Sequence, residues 1–350
     1  MAKKKDLRQQ KILAYLAGNP EVSSSQIKEG ANIPDSLVTV KRQLTQLVEA
    51  GQLLRRGGSR HVTYTINPAG RLYVPIDPAV YFQTEIDKRE ILNQYNHDII
   101  DAISDGVSLF SDNELAHLQK LQDRFSNNIN EMSETLRNNS FETLAIDLSW
   151  KSSEIEGNTY TLLETEALIK ESKQADGKKL EESLMILNHK RTIDYIMEAP
   201  EDILPLTRAK LEDMHRKLTE GLDINHSLRA RGVAIGGTNY RPLDNQFQVE
   251  EAVTNACNII NKQESVFAQG LLALLLLSYI QPFEDGNKRT ARLTSNAILL
   301  AKKHCPLSFR TVDSQDYKKA MLIFYEQNSV IPFKELFIDQ YEFAVNTYFA

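Results

Sequence analysis

The stretch SYIQPFEDGNKRTARL holds the residue types with the clearest chemistry in the sequence. Gly286 allows a sharp turn, and a helix predicted to begin near Arg289 would leave free backbone N–H groups at its start. Such a helix start binds anions, and Arg289 and Arg292, three residues apart, share one face of that helix. Asn287 adds an amide donor, and Asp285 offers the oxygen ligand that Mg²⁺ prefers beside phosphates. Together these residues predict a site for the polyphosphate of a nucleotide.

Several other common motifs are absent from the sequence. It contains no GxxxxGK[ST], no HExxH and no GxSxG, which excludes a P-loop, a zinc-protease helix and a hydrolase elbow. Cys257 and Cys305 are too few for a disulfide framework and lack zinc-binding spacing. The longest apolar run, at residues 266–280, is too short to span a bilayer and predicts a buried helix. We therefore expect a cytoplasmic protein that does not enter a membrane.

The segment QPFEDGNKRTAR resembles the HxFx[DE]GNxRxxR signature of the Fic family, whose members transfer AMP from ATP to hydroxyl side chains of proteins. Six fixed positions match, namely Phe283, Asp285, Gly286, Asn287, Arg289 and Arg292. The resemblance implies that ATP is the substrate, that Asp285 binds Mg²⁺ and that the other five residues bind the nucleotide. It also implies that Asn287 takes part in catalysis.

The fixed position that differs is the first, where Gln281 replaces the catalytic histidine of the family. That histidine takes the proton from the attacking hydroxyl, and a carboxamide does not titrate near neutral pH. Three outcomes stay open. AMP transfer continues slowly through positioning and charge stabilisation; another group, with His215 and His226 as candidates, acts as the base; or the site binds nucleotide without turnover and acts as a sensor.

The segment KSSEIEGNTY resembles the family's inhibitory motif, [ST]xxxE[GN], with Ser152, Glu156 and Gly157 at its fixed positions. The resemblance implies that Glu156 pairs with Arg292 and blocks productive seating of the γ-phosphate. A carboxylate and a phosphate compete for one guanidinium, which gives this inhibition a physical basis. Because the motif precedes the nucleotide loop, the chain resembles the class whose inhibitory helix is N-terminal to the active site.

The segment RARGVAIGGTNYRPL, at residues 229–243, resembles the family's flap, a β-hairpin that holds the target polypeptide by strand addition. Val233, Ile235 and Tyr240 around a Gly-Gly turn give the hairpin pattern. The family resemblance covers about residues 140–340. It implies a mainly α fold, with an all-helical Fic core and one small β-hairpin flap.

The first 72 residues differ in charge from the rest of the chain. They hold 12 Lys and Arg against 5 Asp and Glu, a net charge of +7, whereas the remaining residues hold 29 against 42, a net charge of −13. Apolar spacing predicts three helices, the third from about Pro34 to Ala50, followed by a hairpin around the Gly57-Gly58 turn. This order of elements resembles a winged helix-turn-helix domain.

That resemblance implies that the third helix enters the major groove of DNA while the hairpin approaches phosphates. The candidate DNA-binding residues are polar or basic side chains expected on these two surfaces: Ser36, Thr39, Lys41, Arg42, Arg55, Arg56 and Arg60, with Gln43 also on the outer face and His61 on the hairpin. A protein-interaction role for the same domain, with a merely solvated basic face, stays open.

We divide the chain into a winged helix-turn-helix domain at 1–72, a linker and helical extension at 73–139, and a Fic domain at 140–350 with its inhibitory helix near 151–158. Residues 73–82 carry two prolines and predict an extended linker. The family resemblance also allows a homodimer through the polar helices of the extension.

The predicted function is Mg²⁺-dependent transfer of AMP from ATP to a hydroxyl side chain, on another protein or on the chain itself. Glu156 restrains the reaction, and Gln281 weakens or alters it. The alternative is a nucleotide-sensing, DNA-binding regulator with a catalytically impaired Fic domain. Transfer of a different phosphodiester group ranks last, because the loop resembles the adenylylating members more closely.

Overall fold

The structure is a computed structural model that describes residues 2–58 and 61–350. Its contacts divide the chain into two compact units. The first unit consists of the described residues up to Leu109 together with Gly237–Tyr240 and Leu322–Phe333. The second unit consists of Phe110–Gly236, Arg241–Met321 and Lys334–Ala350.

The described part of the chain is mainly helical, with one two-stranded antiparallel sheet, so the predicted fold class is confirmed at this level. The helices are α1 (Ala2–Gly18), α2 (Ser24–Gly30), α3 (Leu37–Glu49), α4 (Pro68–Arg71), α5 (Pro78–Tyr81), α6 (His97–Ser104), α7 (Asp112–Glu131), α8 (Glu134–Ile155), α9 (Leu162–Glu171), α10 (Leu180–Glu198), α11 (Arg208–Leu218), α12 (Gln246–Lys262), α13 (Val266–Ile280), α14 (Asn287–Ala301), α15 (Ser314–Gln327) and α16 (Ile331–Tyr348). The strands are β1 (Leu53–Arg56) and β2 (Thr63–Ile66), and short 3₁₀ helices lie at Ile86–Lys88 and Pro200–Ile203.

Three helices and the sheet form the N-terminal part of the first unit, in the predicted order. The side chains of Ser23 and Ser36 cap α2 and α3, each accepting a hydrogen bond from the backbone N–H three residues later. The apolar faces of all five elements bury one common core, which includes Ile12, Leu13, Leu16, Ile27, Val40, Leu44, Leu47, Leu53, Tyr64 and Ile66. Packing these apolar side chains together removes their surface from water, which stabilises the fold of this part of the chain.

Helix α3 departs from the prediction at two positions. It begins at Leu37 rather than near Pro34, because the Ser36 side chain satisfies a free amide at the helix start. Gln43, which we expected on the outer face, is only 2% exposed. It lies three residues after Val40 and four before Leu47, and these spacings place it on the buried face of the helix.

The two strands form a hairpin in which Leu53 pairs with Ile66 and Arg56 pairs with Thr63. The Arg56 side chain is mostly exposed and forms a 2.8 Å ion pair with Glu21. Arg60, one of the predicted DNA-binding residues, lies outside the described residues.

Two predicted boundaries do not match the structure. The segment predicted to be an extended linker contains the short helix α5, which begins at Pro78 and is capped by Asp77, whose side chain accepts a hydrogen bond from the Ala79 N–H. Helix α8 begins at Glu134 and runs through residue 139, so the domain boundary drawn there lies inside a helix. No glycine or proline interrupts residues 134–155, and the helix therefore continues.

Helix α13 is the buried axis of the second unit and packs against α12 and α14. Every residue from Phe267 to Ile280 is buried. A Cβ added at Gly270 would lie 3.2 Å from Ser295 Oγ on α14, so the glycine permits close approach of these two helices. The position of Ile280, and of the loop that follows it, is therefore fixed by the core.

The predicted flap hairpin is not formed. Residues 229–243 contain a turn with Gly237 at a φ of 85°, but no strand element lies on either side of it. After the turn the chain is held by side chains instead of by a strand ladder. Arg89 donates to the Gly237 carbonyl at 2.7 Å, and Asn239 donates to Asp87 at 3.0 Å.

Among the described residues, no helix combines the length and the apolar character that crossing a membrane requires.

The N-terminal core predicts a clear contrast between two substitutions in α3. Leu44 is 0% exposed and Val38 is 78% exposed. We expect Leu44→Ala to lower the free energy of unfolding by about 2–5 kcal/mol, because it leaves a cavity in the core. Val38→Ala should change it by less than about 0.5 kcal/mol. Urea unfolding followed by circular dichroism measures both, and equal losses would contradict the described burial of Leu44.

Candidate functional site

The loop between α13 and α14 depends on two residues in the left-handed region of backbone conformation. Gln281 has a φ of 52°, and its N–H donates to the Leu277 carbonyl at 3.1 Å. Gly286 has a φ of 78° and immediately precedes α14. A Cβ at Gly286 would lie 3.2 Å from the His215 ring, so both the backbone angle and the available space favour glycine. The loop can therefore reverse tightly and begin a new helix at Asn287.

Asn287 holds the loop in this shape. Its Oδ1 accepts a hydrogen bond from the Phe283 N–H at 2.7 Å, and its Nδ2 donates to the Phe283 carbonyl at 2.8 Å and to Gln281 Oε1 at 3.0 Å. The side chain is 5% exposed. Asn287 thus acts first as an internal brace, a role that the sequence did not indicate.

Gln281 is engaged at both ends of its carboxamide. Its Nε2 donates to the Ser278 carbonyl at 2.6 Å while its Oε1 accepts from Asn287. The side chain is 8% exposed. At the position of the family's catalytic base, this chain therefore has a non-titrating group that is hydrogen-bonded within the loop.

His215 is buried and packs against the loop. Its ring stacks on Phe283 with centroids 3.7 Å apart and planes inclined by 20°. Burial lowers the pKa of His215 to about 4, with the positive charge of Arg289 adding to the effect, so the imidazole is neutral at neutral pH. His226, the other histidine considered as a base, is exposed. The stacking of His215 explains how Phe283 anchors the loop in the core.

Arg229 fixes the loop from the other side, and sequence reasoning missed it. It is 1% exposed and donates to the backbone carbonyls of Gln281 and of Ile280, the last residue of α13. Its own N–H donates to the Pro282 carbonyl at 3.0 Å. These bonds satisfy carbonyls that a helix C-terminus leaves free. No local motif around Arg229 signals a partner about fifty residues away.

Arg289 is a buried cation that does not use all of its N–H donors. It is 1% exposed, and its NH2 group donates to Asp285 Oδ2 at 3.2 Å. Its Nε and NH1 atoms have no hydrogen-bond partner among the described residues. Burial lowers the pKa of Arg289 from its ordinary value, but a guanidinium stays charged. Unpaired buried donors are costly, so this group is prepared for an anion.

Asp285 is one of two adjacent exposed acids in the loop, the other being Glu284. Its side chain is 68% exposed, and Oδ1 accepts a 2.6 Å hydrogen bond from the Gly286 N–H. No cluster of three or more His, Cys, Asp or Glu side chains suited to a metal ion occurs in the described part of the chain.

Arg292 is fully buried and is held by the end of α8. Its Nε donates to Ser152 Oγ at 2.8 Å, and its NH2 group donates to the Ser152 carbonyl at 2.9 Å and to Glu156 Oε1 at 2.8 Å. Tyr317 lies under the guanidinium, with its ring centroid 5.1 Å from Arg292 Cζ. The geometry thus joins the three residues Ser152, Glu156 and Arg292, which are far apart in sequence.

The end of α8 explains why glycine follows Glu156. Gly157 has a φ of 100°, its N–H donates to the Glu154 carbonyl, and the Asn158 N–H donates to the Ser153 carbonyl. This pair of bonds is a Schellman motif, in which a residue with positive φ ends the helix. Glu156 is the residue between helix and glycine, so the motif points a carboxylate from the helix end.

Glu156 has a second partner that the sequence did not indicate. Its Oε2 accepts a hydrogen bond from Lys288 Nζ at 3.0 Å. Burial opposes the charged form of Glu156, but the positive charges of Arg292 and Lys288 outweigh it and lower the pKa of Glu156 to about 2. Glu156 is therefore ionised at neutral pH and bridges two cations of α14.

His189 is another buried group near these cations. It is 0% exposed, and neither ring nitrogen has a hydrogen-bond partner among the described residues. Burial and the charges of Arg292 and Arg289 lower the pKa of His189 well below its ordinary value. A neutral imidazole here adds no positive charge to a cation-rich site.

The predicted flap residues differ in burial. Val233 and Ile235 are half-buried, whereas Tyr240 is 2% exposed and stacks on Tyr325 with centroids 5.5 Å apart. Tyr240 is thus a packing residue, and the contact of these three residues with a target stays a prediction.

The described DNA-binding candidates belong to the first unit. Lys41, Arg42 and Arg55 are exposed, and Thr39 is half-buried. Ser36 is occupied as the cap of α3.

Comparison with known proteins shows what the segment around this loop is similar to. Residues 205–299 match the model of the Fic/DOC family. "Protein adenylyltransferase Fic" from Nematostella vectensis is 30% identical over 187 residues, covering 48% of this chain and 40% of that protein. The protein of the same name from Drosophila mojavensis is 26% identical over 255 residues, covering 70% of this chain and 49% of that protein. The chain thus spans less than half the length of these two relatives.

A solved structure of Fic-1 from C. elegans has a related fold. The TM-score is 0.57 at 16% sequence identity, and the match covers 93% of this chain and 91% of that one. At this identity the likeness concerns the fold alone.

The ion pairs of Glu156 predict a pH-dependent stability. The pKa of Glu156 falls from an ordinary 4.5 to about 2, so its contribution to folding is complete above pH 4.5 and is lost as the pH falls toward 2. We expect Glu156→Gln to lower the free energy of unfolding by about 3 kcal/mol at pH 7, and the deficit to shrink below pH 4.5. Urea unfolding at pH 7, 5 and 3 measures it.

Glu131→Gln is the control, since Glu131 is an exposed carboxylate outside the site. It should behave like the unchanged protein at all three pH values. A deficit in Glu156→Gln that is equal at pH 7 and pH 3 would contradict the ion-pair account.

Proposed function

We propose that the chain transfers AMP from ATP to a hydroxyl side chain, on another protein or on the chain itself. The match of residues 205–299 to the Fic/DOC family model supports this proposal. The observation that carries the proposal is the pairing of buried Arg292 with Glu156 at the start of a donor-rich helix. A polyphosphate satisfies the same cations as that carboxylate. The relatives' name, protein adenylyltransferase, supports AMP as the transferred group.

In this proposal the loop and α14 bind the phosphates. The backbone N–H groups after Gly286 face the α-phosphate, and the helix start favours negative charge there. Asn287 braces the loop that presents these groups. Arg289 and Arg292 take the outer phosphates, with the unpaired Nε and NH1 of Arg289 as ready donors. Phe283 holds the loop in place through its stacking on His215.

Asp285 fits the role of the Mg²⁺ ligand. Mg²⁺ binds proteins through one or two carboxylates and completes its shell with substrate phosphates and water. One exposed carboxylate beside the predicted phosphate site meets that requirement. The ion supplies positive charge that neutralises the phosphates and the leaving group.

The proposed reaction is a displacement at phosphorus. The hydroxyl oxygen of the target bonds to the α-phosphorus, the bond from that phosphorus to the bridging oxygen breaks, and pyrophosphate leaves. The proton of the hydroxyl passes to water or to the leaving pyrophosphate, because Gln281 does not accept it. The loss of a general base slows the step by roughly 10²–10⁴-fold. Positioning of the substrates and stabilisation of the charge that develops on the phosphates still accelerate the reaction.

Glu156 makes the resting chain inactive in this proposal. It holds Arg292 and Lys288, and it points from the end of a fixed helix into the position where phosphate oxygens would bind. Its low pKa keeps it charged at neutral pH, so protonation does not release it. Release requires movement of the side chain or replacement of the residue.

Two substitutions test the proposal together. We expect Glu156→Gly to bind Mg-ATP in calorimetry at least about tenfold more tightly than the unchanged chain, because it frees charged hydrogen-bond donors for the phosphates. Mass spectrometry after incubation with Mg-ATP should show slow addition of one AMP residue to the chain or to added protein. Adding Gln281→His should increase the rate by roughly 10²–10⁴-fold by restoring a base.

Glu131→Gly is the matched control, which removes an exposed carboxylate outside the site and should leave ATP binding unchanged. Circular dichroism establishes that each variant is folded. Absence of ATP binding by folded Glu156→Gly protein would refute the proposed function.

A second candidate is a nucleotide-responsive regulator that binds DNA. The observation that favours it is the exposed basic surface of the first unit, where Lys41 and Arg42 project from α3 and Arg55 from β1. A winged helix-turn-helix arrangement would present these residues to phosphates and base edges. In this candidate the site binds ATP without turnover and the bound nucleotide changes DNA affinity.

DNA binding predicts a defined dependence on salt. We expect Lys41→Ala/Arg42→Ala to weaken binding to a mixed DNA duplex and to reduce the slope of log affinity against log salt by about 2, one for each lost phosphate contact. Fluorescence polarisation at several salt concentrations, with and without ATP, measures both. Lys302→Ala/Lys303→Ala removes two exposed charges from the second unit and should change neither quantity.

A further inference from the structure

Lys288 occupies the variable position between Asn287 and Arg289 in the loop signature, yet the structure gives it a specific partner. Its Nζ lies 3.0 Å from Glu156 Oε2, and its side chain is only 25% exposed. The other oxygen of the same carboxylate contacts Arg292. Each oxygen of Glu156 is therefore held by a different cation of α14.

The balance of charge around the loop leaves Lys288 dependent on an anion. Lys288, Arg289 and Arg292 lie within the first two turns of α14, where the helix dipole is also positive. Glu156 and Asp285 are the carboxylates bound to them. If Glu156 moves away, Lys288 and Arg292 lose their carboxylate partner, while Asp285 stays paired with Arg289. Another anion must then enter, or the cations must turn to water.

From this geometry we infer that Lys288 is a second anchor of the inhibitory carboxylate and becomes a ligand of the nucleotide's phosphate groups when that carboxylate leaves. The inference rests on the proposed binding of ATP at this loop. An ammonium on a flexible stem can follow either partner, because it is a point charge without the fixed geometry of a guanidinium. Lys288 also lies at the second residue of α14, close to the free backbone donors of the helix start.

The two roles of Lys288 separate in a cycle of four proteins: the unchanged chain, Lys288→Ala, Glu156→Gly and the double variant. Removing Glu156 increases ATP affinity by a factor that reflects how firmly the carboxylate was held. If Lys288 helps to hold it, that gain is smaller in the Lys288→Ala background, by about three- to tenfold. Calorimetric titration with Mg-ATP measures the four affinities.

The phosphate contact is measured between the two released proteins. We expect the double variant to bind Mg-ATP about three- to tenfold more weakly than Glu156→Gly. Adenosine, which lacks phosphates, should bind both equally, so a general disturbance of the site would be distinguished. Lys288→Arg in the Glu156→Gly background keeps the positive charge and should restore most of the ATP affinity.

Lys302→Ala is the matched control, because Lys302 is an exposed lysine at the opposite end of α14. It should change neither the gain nor the affinity. Equal gains in the two Lys288 backgrounds, or equal ATP affinities of the two released proteins, overturn the inference. If Glu156→Gly binds no ATP at all, the proposed function itself fails, which is a different outcome from a cycle without coupling.

Discussion

A guanidinium that is closed off from water requires a negative partner, and the candidate site is organised around that requirement. Arg292 is 0% exposed and contacts Glu156, Ser152 and the ring of Tyr317. Removing one member of a buried pair leaves an uncompensated charge, which is far more costly than losing an exposed pair. A state without the Glu156 contact must therefore supply another anion or let water reach Arg292. In the proposed function, the phosphates of ATP are that anion.

The scaffold holds the two partners differently. Arg292 is fixed because α14 packs on the buried helix α13. Helix α8 is anchored by Asp147, which accepts hydrogen bonds from Tyr348 and Arg310. Glu156 itself lies one residue beyond the end of α8. The side chain of Glu156 can therefore move without unwinding the helix. Separating it from Arg292 and Lys288 requires breaking ion pairs rather than refolding an element.

The sequence predicted the parts of the site that local geometry determines. Gly286 and Gly157 have positive φ, as turn and helix-end glycines do, and apolar spacing located the buried helix that precedes the loop. It did not predict the contact between Lys288 and Glu156, because these residues are separated by more than a hundred positions and neither has a local signal for the other. The prediction of strands in the flap segment was wrong for a related reason. In the structure Arg89 donates to the Gly237 carbonyl, a contact that sequence periodicity does not show.

Gln281 has a structural role in the loop that a catalytic base could not share. Its carboxamide links Ser278 to Asn287, so it braces the loop that precedes α14. A histidine offers only one donor and one acceptor nitrogen when neutral, and a base must leave its acceptor free for the attacking hydroxyl. The same side chain cannot use that nitrogen both to brace Asn287 and to take a proton. Gln281 therefore favours a rigid loop over proton transfer. In the proposed function, the arginines, the helix start and Asp285 are left to bind the nucleotide.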